Sequence, residues 1–227
     1  MGKYVIRRFG LFGGTFNPVH LGHLRAALEV KEGFELSKIF LIPAALPPHK
    51  IPADVVDAGD RLHMLNLALE DKAGFSVSDI ELKRSGPSYT IDSVKYFKST
   101  LPEKSQIYLV MGLDAFLEID SWKSYEELLS QVAIIVINRP KRDRLLSGDG
   151  WELLDDYLTS NISGGYKFSE SESCYLSGDK QPIHIFEVTA LDISSTRIRS
   201  LIKEGRSIGY LVPRRAAEFI NSRGLYL

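Results

Sequence analysis

A glycine turn between an apolar run and a helical pattern constrains the fold of this chain more than any other feature. Residues 4–12 are strand-like, Gly13-Gly14 follows them, and residues 23–34 have the apolar spacing of a helix. Glycine has no Cβ, so this turn lets the backbone approach a ligand closely. Because the first turn of a helix presents N–H groups and the positive end of its dipole, this order predicts an anion site, most simply for phosphate.

Two histidines stand beside the predicted anion site. His20 and His23 are three residues apart, so they occupy neighbouring positions of the first helical turn. We expect both imidazoles to face the same point as the glycine turn and to donate hydrogen bonds to the anion. A purely structural role for the pair is the alternative, and their place in this motif disfavours it.

The rest of the sequence alternates strand and helix patterns. Further strands are predicted over residues 38–43, 75–80, 106–111, 132–138 and 183–188, and helices over residues 60–73, 91–99, 124–130 and 197–203. Thr90 is expected to be the N-cap of the helix over 91–99. The strands lack polar alternation and are separated by helices, which is typical of a parallel sheet covered on both faces. We therefore predict an α/β fold, a Rossmann-like parallel sheet with helices on both faces, in which ligands bind at the carboxyl ends of the strands.

Composition is that of a globular enzyme and excludes several classes of partner. The chain has 227 residues, of which 44% are apolar and 25% charged, with a net charge of −1. This size supports one domain over residues 1–227, and near-neutrality argues against a nucleic-acid partner. The single cysteine, Cys174, excludes an internal disulfide. No apolar run approaches the roughly 20 residues of a membrane span and the N-terminus lacks a signal-peptide core, so we expect a cytoplasmic protein with no membrane partner.

One long segment breaks the alternating pattern. Residues 141–181 are rich in Gly, Ser and Glu, and only residues 151–158 within them have helical spacing. Connections of this length are lids, interaction surfaces or disordered excursions. We expect a flexible insertion in the domain, with a lid as the alternative.

A second motif has the composition of a phosphate contact. The sequence Ile193-Ser194-Ser195-Thr196-Arg197-Ile198-Arg199 follows the strand predicted over 183–188 and opens a helix. Ser194 or Ser195 can cap that helix, while Arg197 and Arg199 supply guanidinium groups, which can bind two phosphate oxygens at once. Taken alone, the motif is better explained by helix capping with solvated arginines. Its combination with the glycine turn makes phosphate binding the better interpretation.

The two motifs together resemble the nicotinate-mononucleotide adenylyltransferases of bacterial NAD biosynthesis. The first motif is a version of the His-x-Gly-His signature that nucleotidylyltransferases share with class I aminoacyl-tRNA synthetases. Other matches follow in the family's order, over nearly the whole chain apart from residues 141–181: Ile42-Pro43, Pro47-Pro48-His49-Lys50, Gly86-Pro87-Ser88-Tyr89-Thr90-Ile91-Asp92, Met111-Gly112-Leu113-Asp114, Trp122, Tyr125-Glu126-Glu127-Leu128, Asn138-Arg139-Pro140 and Tyr210-Leu211-Val212-Pro213. Two features depart from the family pattern. Residues 141–181 look longer than the family requires, and Arg7 and Arg8 interrupt the first apolar strand, either at a sheet edge or paired with acids.

The resemblance implies the nucleotidylyltransferase fold and the transfer of AMP from ATP to nicotinate mononucleotide, which yields nicotinate adenine dinucleotide and pyrophosphate. It implies that His20, His23 and Arg199 act on the transferring phosphates. Contacts with ATP are implied for Gly13, Gly14, Thr15, Phe16, Gly112, Asp114, Ser195 and Thr196. Mg²⁺ is expected mainly between phosphate oxygens and water, so no protein ligand is predicted for it.

The resemblance also implies an acceptor pocket. Trp122 would stack on the pyridine ring, Thr90 and the backbone near Lys123 would donate hydrogen bonds to the nicotinate carboxylate, and His49 and Lys50 would meet the acceptor's phosphate. Plain structural alternatives exist: Trp122 packs the edge of the core, Thr90 only caps a helix, and Lys50 is solvated.

Other functions are left open by the sequence. The nearest alternative is an adenylyltransferase for another phosphorylated acceptor, such as nicotinamide mononucleotide or phosphopantetheine. A non-catalytic nucleotide sensor is a second alternative, which the intact His20, His23 and Arg199 disfavour. Ligation to transfer RNA is poorly supported, since no basic surface is evident. Assembly into a homo-oligomer is also left open.

Overall fold

The apolar runs of the sequence form one sheet in the computed structural model of the chain, which describes residues 6–45, 55–138, 150–162 and 165–227. In chain order its strands are β1 (Arg8–Gly14), β2 (Lys38–Pro43), β3 (Phe75–Val77), β4 (Gln106–Gly112), β5 (Ala133–Asn138), β6 (Lys167–Ser169), β7 (Cys174–Leu176) and β8 (Ile183–Glu187). Among the described residues the strands lie side by side in the order β3-β2-β1-β4-β5-β8-β7-β6. The pairs from β3 to β8 are parallel, and the last two pairs are antiparallel.

The strand order reverses at β1, and this reversal fixes where a ligand binds. From β1 the chain moves to β2 and β3 on one side, and then returns to β4 and β5 on the other side. Helices that leave neighbouring strands in opposite directions open a crevice at the carboxyl ends of those strands. β1 ends at Gly14 and β4 at Gly112, so both glycine-containing turns lie at this crevice.

Helices cover both faces of the sheet, as predicted for this fold class. They are α1 (Leu21–Gly33), α2 (Ala58–Leu69), α3 (Thr90–Thr100), α4 (Leu113–Phe116), α5 (Tyr125–Gln131), α6 (Gly150–Ser160), α7 (Ser195–Lys203) and α8 (Arg214–Arg223). None of the helices in the described part of the chain is long and apolar enough to cross a membrane.

Alternate residues of the central strands enter two separate cores. On β1, Phe12 belongs to one buried cluster and Leu11 to the other, and on β5 Ile135 and Ile134 divide in the same way. The first cluster is covered by α1, α2, α7 and α8, and the second by α3, α5 and α6. Strands buried on both faces need continuous apolar sequence, which explains the runs without polar alternation. The α/β prediction is therefore confirmed.

Some element boundaries differ from the prediction. The prediction that Thr90 caps its helix is wrong, because Tyr89 is the extended N-cap residue and Thr90 is the first residue of α3. The helix that was predicted to start at residue 23 starts at Leu21, with His20 as its N-cap. Histidine is not a usual N-cap residue, so the sequence pattern placed this start too late. α8 has no counterpart among the predicted helices.

Two parts of the segment 141–181 have regular structure. The helix predicted over 151–158 is confirmed as α6, and β6 and β7 form a hairpin that extends the sheet beyond β8. Strands of three residues carry too little periodicity to be read from sequence, which is why this hairpin was not predicted. The flexibility of the insertion within a single domain stays a prediction.

The arginine at the start of β1 pairs with an acid. The Arg8 guanidinium donates to Glu35 Oε2 at 3.2 Å and to the Phe34 carbonyl at 3.4 Å. Of the two alternatives left by the sequence, the acid partner therefore applies to Arg8. Both side chains are solvent-exposed, so the pair adds little to stability.

Candidate active site

The two glycines predicted to form a turn are instead the last residues of β1, at the carboxyl edge of the sheet. Among the described residues, a Cβ at Gly13 would meet no atom within 4 Å, whereas one at Gly14 would come within 3.0 Å of the Phe16 ring. Gly13 is exposed and Phe16 is buried. The backbone of Gly13 therefore faces a space large enough for a ligand atom, as a phosphate-binding turn requires.

The two histidines cap the start of α1 reciprocally. The His20 N–H donates to His23 Nδ1 at 3.2 Å, and the His23 N–H donates to His20 Nδ1 at 3.3 Å. Their rings are stacked, with centroids 3.6 Å apart and an angle of 25° between the planes. His20 is buried and His23 is partly buried, and the Phe16 ring packs edge-on against His23. The sequence predicts that both imidazoles face one point, and in the structure the reciprocal hydrogen bonds hold the two rings against each other.

This capping arrangement fixes the tautomer of both imidazoles. A ring nitrogen that accepts a hydrogen bond carries no proton, so the proton of each neutral ring is on Nε2. A proton on Nδ1 would oppose the backbone N–H that it faces and would break the cap. Both rings are therefore suited to donate from Nε2, and they are poorly suited to act as bases through Nδ1.

The second motif lies directly against the first. Ser195 Oγ donates to the Pro18 carbonyl at 2.9 Å, and Arg199 Nη1 donates to the Asn17 carbonyl at 3.0 Å. Ser194 Oγ caps α7 by accepting from the Arg197 N–H at 3.1 Å. The fold thus joins two motifs that lie about 180 residues apart in sequence.

The other two side chains of that motif have different surroundings. Thr196 is exposed beside Arg199, with 3.5 Å between Thr196 Oγ1 and Arg199 Nη2. Arg197 instead lies 3.6 Å from Glu204, in an exposed ion pair. Arg199 is therefore the arginine of this motif that reaches the loop between β1 and α1. The phosphate contacts of Ser195, Thr196 and Arg199 stay predictions.

The turn after β4 lies at the same edge of the sheet. Gly112 is the N-cap of α4, and a Cβ there would come within 2.4 Å of Asp114 Oδ1. A side chain at this position would displace the Asp114 carboxylate, which lies over the Gly112 backbone. Asp114 itself is exposed and lies in the first turn of α4. Both residues thus lie at the crevice, and their contacts with ATP stay a prediction.

Part of the predicted acceptor pocket comes together around the start of α3. Lys123 Nζ lies 4.2 Å from the centre of the Tyr89 ring, and Tyr89 directly precedes Thr90. Trp122 is partly buried against the second core cluster, and its main-chain N–H donates to the Ile119 carbonyl at 2.9 Å. Thr90, Trp122 and Lys123 are thereby brought to one region. His49 and Lys50 lie outside the described residues.

A partly buried polar network supports the loop that leads to Thr90. Arg84 Nη1 donates to Ser88 Oγ at 2.5 Å and to Ser93 Oγ at 2.9 Å, and Ser93 Oγ donates to Glu81 Oε1 at 3.0 Å. Burial raises the pKa of Glu81, and the hydrogen bond from Ser93 and the charge of Arg84 oppose this shift. The network joins the loop before α3 to the helix itself, so it fixes the position of Thr90.

Three residues beside the site were missed by the sequence interpretation. Tyr89 contacts Lys123, Arg61 donates to the Thr15 carbonyl, and Tyr226 donates to the Asn17 side chain. A signal existed only for Arg61, which is a charged residue in the apolar spacing of the helix predicted over 60–73. Aromatic residues with polar tips are common on protein surfaces, so Tyr89 and Tyr226 could not be singled out.

Comparisons with known proteins agree with this geometry. The family model described as Cytidylyltransferase-like matches residues 11–201. The chain is 41% identical over 224 residues to a protein of Desulfatibacillum aliphaticivorans named "Probable nicotinate-nucleotide adenylyltransferase", covering 97% of this chain and 100% of the relative. A protein of Pseudomonas fluorescens with the same name is 39% identical, with 97% of each chain covered.

A solved structure gives the same picture of the fold. The chain superposes on Plasmodium falciparum nicotinic acid mononucleotide adenylyltransferase complexed with NaAD, with a TM-score of 0.68 and 97% of each chain covered. The two sequences are only 17% identical, so this likeness supports the fold alone.

Proposed function

Because this chain belongs to the cytidylyltransferase-like family and, within it, to the nicotinate-nucleotide adenylyltransferases, we propose that its site transfers AMP from ATP to nicotinate mononucleotide. The products are nicotinate adenine dinucleotide and pyrophosphate, in a step of NAD biosynthesis. The observation that carries this proposal is the junction of the two motifs, in which Ser195 and Arg199 donate to carbonyls of the turn that leads to the stacked histidines.

The bond changes of this reaction require positioning more than proton transfer. An oxygen of the acceptor's phosphate bonds to the α-phosphorus of ATP, while the bond from that phosphorus to the bridging oxygen of the β-phosphate breaks. The electron pair of that bond leaves with pyrophosphate. Because the attacking phosphate is already ionised near neutral pH, no strong general base is needed. The site has to hold two anions in line and to stabilise the charge that develops on the leaving group.

The residues at the end of β1 are suited to the ATP phosphates. Gly13 gives a phosphate close access to the backbone, and α1 directs the positive end of its dipole to the same place. His20 and His23 donate from Nε2, a role that suits their neutral form. Arg199 and the exposed Thr196 approach from α7 and bind the β- and γ-phosphates from the opposite side.

We propose that Mg²⁺ accompanies ATP and is held mainly by phosphate oxygens and water. The polar groups at the end of β1 and the start of α7 are imidazole N–H, hydroxyl and guanidinium groups, which bind phosphate oxygens rather than Mg²⁺, and Asp114 is a single carboxylate at the end of β4. Within the described ranges, no group of three or more His, Cys, Asp or Glu residues could hold a metal ion. These residues fit a metal that arrives with the nucleotide, where it neutralises phosphate charge.

The acceptor's carboxylate fits the start of α3. Thr90 is the first residue of this 11-residue helix, so its N–H and hydroxyl lie at the positive end of the helix dipole. Lys123 adds a cation beside Tyr89. The N–H groups of a helix start and an ammonium group favour a carboxylate over a carboxamide. The NH₂ of a carboxamide is itself a hydrogen-bond donor, so it would face these donors without an acceptor.

The reaction and the acceptor preference are tested together by following pyrophosphate release. With ATP and Mg²⁺, we expect nicotinate mononucleotide to exceed nicotinamide mononucleotide in kcat/KM by about 100-fold or more, since unpaired donors are costly in a binding site. Equal or reversed preference would contradict the carboxylate site at Thr90 and leave the adenylyl transfer intact. Absence of turnover with both acceptors, in protein that still binds ATP, would contradict the proposed function.

Replacing Trp122 with alanine should weaken acceptor binding. We expect KM for nicotinate mononucleotide to rise about 10-fold while KM for ATP is unchanged, because stacking on an aromatic ring contributes about 1–3 kcal/mol. Trp122→Phe keeps a ring and should show a smaller rise. Steady-state kinetics with each substrate varied in turn provides the measurement.

Trp151→Ala is the matched control for that variant. Trp151 is also partly buried against the second core cluster, but it lies on α6. We expect its loss to lower the unfolding temperature without changing either KM. If Trp122→Ala behaves like Trp151→Ala, Trp122 is a packing residue and has no role in the acceptor pocket.

A further inference from the structure

A buried arginine with no part in the proposed chemistry lies directly against the glycine turn. Arg61 on α2 is only 1% exposed. Its guanidinium donates to three main-chain carbonyls, from Nη1 to Thr15 at 2.8 Å, from Nη2 to Ala45 at 3.2 Å and from Nε to Val56 at 3.2 Å. Within the described ranges, no carboxylate forms an ion pair with it.

The three carbonyls belong to three separate stretches of backbone around the site. Thr15 is in the turn after β1, Ala45 follows β2, and Val56 precedes α2. The Ala45 amide also bonds to the Glu81 carboxylate, so this residue is held from two sides. Arg61 therefore links the end of β2 and the residues before α2 to the turn after β1.

A second side chain holds the same turn from another direction. Tyr226, after α8, donates from its hydroxyl to Asn17 Oδ1 at 2.9 Å. The same Oδ1 accepts from the Val56 N–H at 3.2 Å. Burial raises the pKa of Tyr226, and the nearby charges of Arg61 and Arg199 only partly offset this, so the hydroxyl keeps its proton and donates.

Geometry explains what this anchoring achieves. The peptide bond between Thr15 and Phe16 is trans, so its C=O and N–H point in opposite directions. When Arg61 fixes the Thr15 carbonyl, it also fixes the Phe16 N–H to point away from the arginine. Lysine could not replace it, because one ammonium group cannot reach three carbonyls that a planar guanidinium spans.

The energetic cost of burial indicates that this arrangement is not simply core packing. Burial lowers the pKa of Arg61, and the charge of Asp57 offsets this only in part, so keeping the guanidinium charged here costs free energy relative to a well-packed apolar side chain of similar size. The helix could bury a leucine or methionine here, as it does at Met64 and Leu65. The guanidinium instead donates hydrogen bonds to main-chain carbonyls beside the proposed ligand site.

We propose that Arg61 and Tyr226 are positioning residues, together called the loop clamp, that hold the backbone of residues 15–17 in the orientation that binds ATP phosphates. The clamp rests on the proposed function only in taking ATP as the ligand of the turn. Neither residue touches the reacting atoms. The clamp acts through the Phe16 N–H and the Asn17 side chain.

The test is ATP affinity measured without acceptor, by calorimetry with a non-hydrolysable ATP analogue. For Arg61→Lys we expect the dissociation constant to rise about 10-fold and kcat to fall about 10- to 100-fold, because small displacements of a binding group cost this much in catalysis. Tyr226→Phe removes one hydroxyl and keeps the ring. We expect a rise of about 3- to 10-fold in the dissociation constant, in line with the loss of one hydrogen bond.

Met64→Ala separates positioning from general loss of stability. Met64 lies one turn further along α2 and is fully buried, and its side chain has no N–H or O–H that could hold the carbonyls of residues 15–17. We expect this variant to unfold at a lower temperature and to bind the analogue with normal affinity at a temperature where it is folded. Arg61→Lys, studied at a temperature where it is equally folded, should bind weakly.

The outcomes decide between the two roles. Normal analogue affinity and normal kcat in Arg61→Lys and Tyr226→Phe would overturn the clamp. If Arg61→Lys does not fold, Tyr226→Phe decides by itself, and normal affinity there overturns the proposal. Failure of the proposed function would instead be visible as a wild-type protein that binds ATP but forms no dinucleotide.

Discussion

His23→Asn should lower kcat for AMP transfer by about 100- to 1000-fold while leaving the fold and its stability nearly unchanged. Loss of one donor to a charge that develops in the transition state has this magnitude. Asparagine can place Oδ1 where the histidine has Nδ1, so it can still accept from the His20 N–H that caps α1. It has no atom that reaches the position of Nε2. Pyrophosphate release and thermal unfolding of the same preparation measure the two effects.

His23→Gln is the reverse control. Its amide nitrogen can reach the position of Nε2, but it has no acceptor near the position of Nδ1. We expect it to keep more turnover than His23→Asn and to lose about 0.5–2 kcal/mol of stability, the usual contribution of a helix cap. Turnover of His23→Asn within a few-fold of the wild type would show that His23 only caps the helix.

Gly13→Ala should remove most ATP-dependent activity without destabilising the protein. We expect kcat/KM for ATP to fall about 100-fold, because a methyl group at Gly13 would occupy the space that the proposal assigns to a phosphate. In the part of the chain that the structure describes, no atom lies within 4 Å of that methyl position, so we expect the stability of the fold to be unchanged. Gly13 is also not among the described glycines with positive φ, so alanine fits its backbone. Calorimetric titration with an ATP analogue and thermal unfolding provide the readouts.

Two other glycines serve as matched controls. Gly178 is exposed, has open space around its Cβ position and lies between β7 and β8, so Gly178→Ala should change neither affinity nor stability. Gly14→Ala would bring a methyl within 3.0–3.3 Å of the Phe16 ring, so it should lower stability as well as activity. Normal ATP affinity in Gly13→Ala would mean that the phosphate does not bind over this turn.

The strands of the central sheet and their parallel arrangement could be predicted, because burial on both faces requires a continuous apolar sequence. β2 (Lys38–Pro43) has the predicted bounds, and β4 (Gln106–Gly112) and β5 (Ala133–Asn138) differ from prediction by one residue. Helix starts were less accurate, because a cap depends on side-chain geometry that spacing does not report. His20 caps α1 although histidine is not a typical cap residue, and Thr90 lies inside α3 rather than at its cap.

The sequence by itself determined the chemistry that we propose for the site. Gly13-Gly14, His20, His23 and the motif that contains Arg199 are local patterns, and each one states a requirement of phosphate binding through residue type and spacing. They also predicted where the site would lie, since parallel strands bring their carboxyl ends to one edge.

Only the tertiary structure decided which atoms meet. That Arg199 donates to the Asn17 carbonyl, while Arg197 turns to Glu204, depends on how α7 packs against the sheet. The anchoring by Arg61 and Tyr226 joins segments from four parts of the chain. Contacts between distant segments leave no periodic signal in sequence, because their geometry is set by the packing of whole helices on the sheet.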